Sequence, residues 1–200
     1  MDNSRTRQQT PARVGTLTIT FDDGPDAEYT PQILETLRHY GVPAVFFCIG
    51  EQVARYPDVL RAIDAAGHAI GNHTMTHPHL TELPDDEIRK QLTDAANQIE
   101  ATIGKRPHLF RPPYGDMDER VERIARELGY QPVLWDVDSV DWSGIPGPTV
   151  AANVLPHLKP GAIVLQHAGE HAEGTPAALP YIIEVAVAMG YDWVPFTSKS

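Results

Sequence analysis

Residues 16–25 read TLTITFDDGP, from Thr16 to Pro25. Leu17 and Ile19 alternate with Thr16, Thr18 and Thr20, the period of two that marks a β-strand. The strand runs into paired carboxylates, Asp22 and Asp23, and Gly24-Pro25 then turns the chain. Two like charges held this close cost free energy unless a cation or a shared proton relieves them. An acidic, solvated turn is the plain alternative, and the stretches downstream decide between the two.

Outward from this strand the pattern alternates. Thr30-Pro31 caps a predicted helix with Ile33, Leu34, Leu37 and Tyr40 on one face and Gly41 at its end. Residues 42–49 read as a fully buried strand, and 51–66 as helix interrupted at Pro57. A short strand at 68–71 enters a His-rich segment. The longest amphipathic helix follows Pro84 with acids in its first turn, and its period holds to Gly104. Leu109-Phe110 is a short strand, Val121 to Leu128 a helix, and Gln131 to Val137 one further strand. Residues 149–158 and the stretch from Thr175 read as helices, 162–165 and 192–196 as strands.

Some seven strand–helix alternations predict a parallel sheet, either open and doubly wound or closed into a barrel. The polar clusters choose between them. Asp22/Asp23, His73/His77, Arg111/Tyr114, Asp138/Asp141 and His167 each follow a strand, and the strands are different ones. In a (β/α) barrel such positions share one rim, where active sites are built. In an open sheet they would string out along an edge. The barrel fits better.

Composition narrows the function. The 200 residues suit one domain with a substantial core, and no apolar run approaches the roughly 20 residues that span a bilayer. A formal charge of −11 argues against nucleic acid and anionic membrane surfaces as partners. Cys48 stands alone, so there is neither an internal disulfide nor a cysteine-based metal site. Residues 1–13 are polar, lack the apolar core of a signal peptide, and are expected to form a disordered tail, or to mark a chain made without its export signal.

His73-Thr74-Met75-Thr76-His77 carries imidazoles at i and i+4, which stand one above the other if the segment is helical. Two His and one carboxylate, Asp23, make a three-ligand metal set with open positions. The alternative is a structural histidine pair, and His68 and His79 are rival ligands. In Arg111-Pro112-Pro113-Tyr114 the prolines stiffen the loop and leave the Tyr114 N–H free; Arg111 can pair with a rim carboxylate or simply be solvated. Asp138 and Asp141, with Trp142, follow another strand, where helix capping is the plain role for Asp138. Leu165-Gln166-His167 ends a buried strand on a His, whose plain reading is structural.

Together TFDDG at 20–24, HTMTH at 73–77, RPPY at 111–114, DSVDW at 138–142 and LQH at 165–167 resemble the polysaccharide deacetylases. These carbohydrate esterases include chitin, chito-oligosaccharide and peptidoglycan N-acetylglucosamine deacetylases and some acetylxylan esterases. The likeness runs from about Leu17 to Phe196. It implies a single catalytic domain over 14–197, an α/β fold built as a distorted (β/α) barrel of seven to eight parallel strands. It implies Asp23, His73 and His77 as ligands of one divalent ion, Zn²⁺ before Co²⁺, Mn²⁺ or Ni²⁺. Asp22 would be the catalytic base with Arg111 as its partner, and His167 the general acid with Asp141 as its partner. Tyr114 would give its N–H to the oxyanion, while Trp142, Leu165 and Tyr114 contact the substrate.

The expected activity is metal-dependent removal of N-acetyl groups from N-acetylglucosamine units of chitin, chito-oligosaccharides or peptidoglycan. O-deacetylation of acetylxylan is the alternative, and a silent carbohydrate-binding relative a further one. Glycosidases flank the bond with carboxylates about 5 Å or more apart, which chain neighbours such as Asp22 and Asp23 do not offer. A two-metal phosphoesterase needs a larger ligand set. A monomer is expected, secreted or in the cell envelope, with a cytoplasmic place left open.

Overall fold

The structure, a computed structural model, describes residues 13–197. The tail expected over 1–13 therefore lies outside the described residues except for Arg13, which pairs with Asp192. At the centre stands β1 (Gly15–Asp22), hydrogen-bonded to three strands, all parallel to it. On one edge its C-terminal half pairs with β2 (Ala44–Cys48), Phe21 opposite Phe46, and its N-terminal half with β8 (Tyr191–Trp193). On the other edge Leu17–Asp22 pair with β7 (Ala162–His167), so that Asp22 stands opposite His167.

The sheet continues from β2 through β3 (Ala69–Asn72), β4 (Leu109–Phe110) and β5 (Gln131–Pro132), and from β7 to β6 (Val137–Asp138). Helices α1 (Tyr29–Tyr40), α2 (Gly50–Arg55), α3 (Pro57–Ala65), α4 (Asp85–Ile103), α5 (Glu119–Glu127), α6 (Gly147–Val154) and α7 (Gly174–Ala188) connect the strands and cover the outer face. The result is a curled parallel sheet, a distorted barrel.

Strand parity shows which face is inside. Leu17, Ile19 and Phe21 of β1 point outward into the apolar layer beneath the helices, where Phe21 stacks on Phe46 at 5.0 Å. A stacked aromatic pair of this kind is worth about 0.5–1.5 kcal/mol beyond its burial. Thr18, Thr20 and Asp22 have the opposite parity and face the barrel interior. Lower in the interior Val45, Phe47, Leu109 and Val133 form a plug, packed by Ile163 and Phe196.

Three expectations are corrected. The strand expected over 131–137 is broken: Gln131–Pro132 pairs with β4, Val137–Asp138 pairs with β7, and the two halves do not pair with each other. The barrel is open at this seam because Pro132 has no N–H to offer, while the carbonyls of Val133 and Leu134 are taken by the Arg111 guanidinium. Thr30 does not cap α1. Asp26 Oδ1 accepts from the N–H groups of Tyr29 and Thr30, both at 2.8 Å, and the Thr30 hydroxyl donates instead to the Ala168 carbonyl. The 73–77 segment is an irregular loop rather than a helix.

Candidate active site

Asp22 is the last residue of β1 and is nearly fully buried, with the wholly buried Arg111 reaching it across the barrel interior. Arg111 Nη1 donates to Asp22 Oδ1 and to Thr20 Oγ1, each at 2.8 Å. Its Nε and Nη2 donate to the Val133 and Leu134 carbonyls at 3.0 and 3.1 Å. The guanidinium lies 4.2 Å from the Phe47 ring centroid and 5.6 Å from that of Trp135. One side chain thus neutralises a buried carboxylate and satisfies the carbonyls of the broken strand. With Oδ1 occupied, Oδ2 of Asp22 faces the cavity, 3.7 Å from His73 Nε2.

Asp23, one step beyond the strand, has φ 70°, a left-handed turn that brings its carboxylate beside two imidazoles. Its Oδ1 is 3.3 Å from Nε2 of His73 and 3.3 Å from Nε2 of His77. The spacing of four works without a helix because local hydrogen bonds fold the loop. Asn72 Oδ1 accepts from Thr74 N, Thr74 Oγ1 from His77 N, and Gln91 Oε1 from both Met75 N and Thr76 N.

His73 Nδ1 lies 2.7 Å from the Arg111 carbonyl, which only accepts, so this nitrogen carries the proton and Nε2 presents a lone pair to Asp23. Asp23 Oδ1 is buried and has no hydrogen-bond partner. The three ligand atoms lie within 4.8 Å of one another. Converging lone pairs around an orphaned carboxylate oxygen fit a divalent cation, and the N₂O donor set suits Zn²⁺. Burial alone would raise the Asp23 pKa, but positive charge on the His73 and His77 side outweighs it and holds the carboxyl far below its ordinary value, the ionised state a cation there would also favour. The rivals are elsewhere: His68 Nδ1 accepts from Ala44 N, and His79 stacks on the Tyr114 ring at 4.0 Å.

Across the cavity, His167 Nδ1 is 2.7 Å from Asp141 Oδ1. The fully buried Asp141 also accepts the His167 backbone N–H at 2.7 Å and the Thr175 hydroxyl on Oδ2. This fixes the ring with Nε2 toward the cavity. Burial works against the imidazolium, but the Asp141 carboxylate outweighs it and raises the His167 pKa to about 9.

A cavity of about 350 Å³ joins these groups. Tyr114, Trp142 and Leu165 line it as expected, as does Asp138, which the sequence placed on the rim without a catalytic role, and so does Trp135, which sequence reasoning left out of the site. Asp138 Oδ1 accepts from Val140 N, a local turn rather than a helix cap. No sequence signal marks Trp135, since parity cannot be followed through a strand that breaks. Gly115 and Asp116 donate to the Pro112 and Pro113 carbonyls, leaving the Tyr114 N–H outside the turn's own bonding. Among the described residues six non-glycines have positive φ, and Asp23, Thr74, His77, Tyr114 and Val140 all sit in the rim loops of this site. Strain concentrated this way marks a site whose geometry the surrounding structure enforces.

A barrel rim with two histidines and a carboxylate around one gap, beside an Arg-paired Asp22 and an Asp-paired His167, has the parts a deacetylase would use. Comparison with known proteins agrees. The polysaccharide deacetylase family model matches residues 9–133, and the chain belongs to that family. A peptidoglycan-N-acetylglucosamine deacetylase of Bacillus cereus is 40% identical over 182 residues, covering 90% of this chain; the chain spans 66% of that relative's length. A chitooligosaccharide deacetylase of Azorhizobium caulinodans is 34% identical, over 88% of this chain and 90% of the relative. Among solved structures, a peptidoglycan N-acetylglucosamine deacetylase superposes with a TM-score of 0.88 at 37% identity, over 93% of this chain and 88% of that one. A family pseudoenzyme from Bacillus anthracis also superposes, with a TM-score of 0.83 at 32% identity, over 90% of this chain and 63% of that one. Family membership therefore does not by itself settle turnover.

Proposed function

We propose that the chain is a metal-dependent hydrolase that removes N-acetyl groups from N-acetylglucosamine units of chitin, chito-oligosaccharides or peptidoglycan. The observation that carries this is the orphaned Asp23 Oδ1 between two imidazole Nε2 atoms, in the same cavity as an Arg-paired Asp22 and an Asp-paired His167. We assign the work to the unit over 14–197, acting as a monomer on envelope or extracellular glycan.

Asp23, His73 and His77 would hold a divalent ion, which would supply Lewis acidity to polarise an acetyl carbonyl and lower the pKa of a water toward roughly 7. Asp22, held by Arg111, accepts a proton through Oδ2 from the water that attacks the carbonyl carbon. The Tyr114 N–H donates to the oxyanion that forms, a type of contact worth about 10²–10³ in rate. His167, charged through Asp141, gives its proton to the sugar nitrogen as the C–N bond breaks, releasing acetate and the amine. Leu165 and Trp142 wall the space for the methyl group.

The test is acetate release from chito-oligosaccharides, peptidoglycan and acetylxylan, with chelator and then with Zn²⁺ or Co²⁺ restored. Release from the N-acetylated glycans, lost with chelator and recovered with metal, is expected. Release from acetylxylan alone would make the chain an O-acetyl esterase. No release from any of the three by a metal-loaded protein would make it a silent relative.

A further inference from the structure

The open seam of the barrel carries a second hollow, of about 290 Å³, formed by residues 131–136 with Ile163 and Phe196. Among the described residues, Trp135 is the one side chain that lines both this hollow and the catalytic cavity. The two spaces follow one line along the inward face of β7, where Leu165 borders the catalytic cavity and Ile163, two residues earlier, the seam hollow.

The position of Trp135 is fixed from both sides. The Leu134 carbonyl accepts from Arg111, while Asp136 N donates to the Ile163 carbonyl and its carboxylate accepts from Ile163 N. The indole itself lies over the Arg111 guanidinium and close against Gly115. A Cβ built on Gly115 would fall 2.8 Å from Trp135 Cη2, so this glycine, at φ 68°, leaves room for the ring.

Resting on the deacetylase reading above, we propose that Trp135 sets the acyl size the enzyme accepts: its indole is the partition that ends the acyl pocket, and without it the pocket runs on into the seam hollow. Ile163 and Phe196, packed on the interior plug, give that continuation an apolar side, while Gln131 and Asp136 also line it. The pinned backbone at Leu134 and Asp136 does not depend on the indole, so shortening the side chain opens space rather than moving the segment.

The experiment compares kcat/KM for N-acetyl, N-propionyl and N-butyryl chito-oligosaccharides in the Zn²⁺-loaded wild type and in Trp135→Phe, Trp135→Leu and Trp135→Ala. The wild type should lose about 10-fold or more for each added methylene, the range such pockets reach. The butyryl-to-acetyl ratio should rise at least about 10-fold in Trp135→Ala, with smaller rises in the Leu and Phe variants. Trp135→Phe, which keeps an aromatic ring over Arg111, carries the comparison through its propionyl-to-acetyl ratio if Trp135→Ala does not fold. Unchanged ratios in folded variants, whatever the loss on the acetyl substrate, would overturn the proposal. A wild type inactive on every N-acyl substrate would instead overturn the deacetylase reading.

Discussion

Asp141→Asn separates a catalytic imidazolium from a structural histidine. Asp141 is fully buried, and its carboxylate faces His167 Nδ1 at 2.7 Å, where it outweighs burial to raise the His167 pKa to about 9. A general acid must hold its proton when the C–N bond breaks, so activity should fall as pH rises through about 9. The amide keeps the shape and removes the charge, which drops the His167 pKa toward the ordinary value of about 6.5. At pH 8 the protonated fraction then falls from about 0.9 to about 0.03, a rate loss of about 30-fold, whereas at pH 6 the loss from this cause is under about 2-fold.

An amide oxygen also cannot accept all three hydrogen bonds that Asp141 receives, so stability should drop by about 1–3 kcal/mol without loss of fold. The assay is the pH profile of kcat/KM for acetate release by metal-loaded enzyme, with circular dichroism as the folding control. A basic limb in the same place, or an equal loss at pH 6 and pH 8, would refute the coupling.

Arg111→Gln should lower the unfolding free energy by about 3–5 kcal/mol, since it strands the buried Asp22 carboxylate and the buried Val133 carbonyl; a loss below about 1 kcal/mol by urea denaturation would show that the seam does not depend on this side chain. Asp22→Asn should keep its metal by elemental analysis yet lose about 10²-fold or more in acetate release, and adding Arg111→Gln to it should cost little further turnover. Additive losses would uncouple the two residues. His73→Ala and His77→Ala should each lose the bound ion in the same analysis, with His68→Ala as a control that keeps it. Full occupancy in either ligand variant would remove that residue from the metal set.

The parts legible in sequence are those set by local rules. The alternation in 16–20, the helix stop at Gly41 and the break at Pro57 are each decided within a few residues, and all three stand where expected. The strand-end clusters also meet on one rim as expected, because a parallel barrel places every strand's C-terminal end on one face whatever the loops do. What failed was decided at a distance. The run 131–137 has the composition of one strand, but Arg111, some 22 residues earlier in sequence, claims the carbonyls that would pair, and no local pattern announces it. The histidine loop likewise takes part of its shape from Gln91 on α4, beside the local bonds of Asn72 and Thr74.

The same side chain explains the one feature of β1 that periodicity leaves open. A period of two says that Leu17, Ile19 and Phe21 share one face and Thr18, Thr20 and Asp22 the other, but not which is inside. In a sheet with one solvated face the apolar side would turn to the core and the threonines to water. Here both faces are buried, the helices cover the outer one with apolar contacts, and the inner one holds a guanidinium that needs acceptors. Thr20 Oγ1 and Asp22 Oδ1 supply them. Reversing the parity would set Ile19 and Phe21 against the Arg111 charge and bury the carboxylate among aliphatic side chains, at a cost of several kcal/mol for the unpaired ion. The polar half of β1 faces inward because Arg111 is there, and Arg111 can be buried there because β1 ends on an acid. The pair therefore sets which face of the central strand turns inward as well as the orientation of the proposed base.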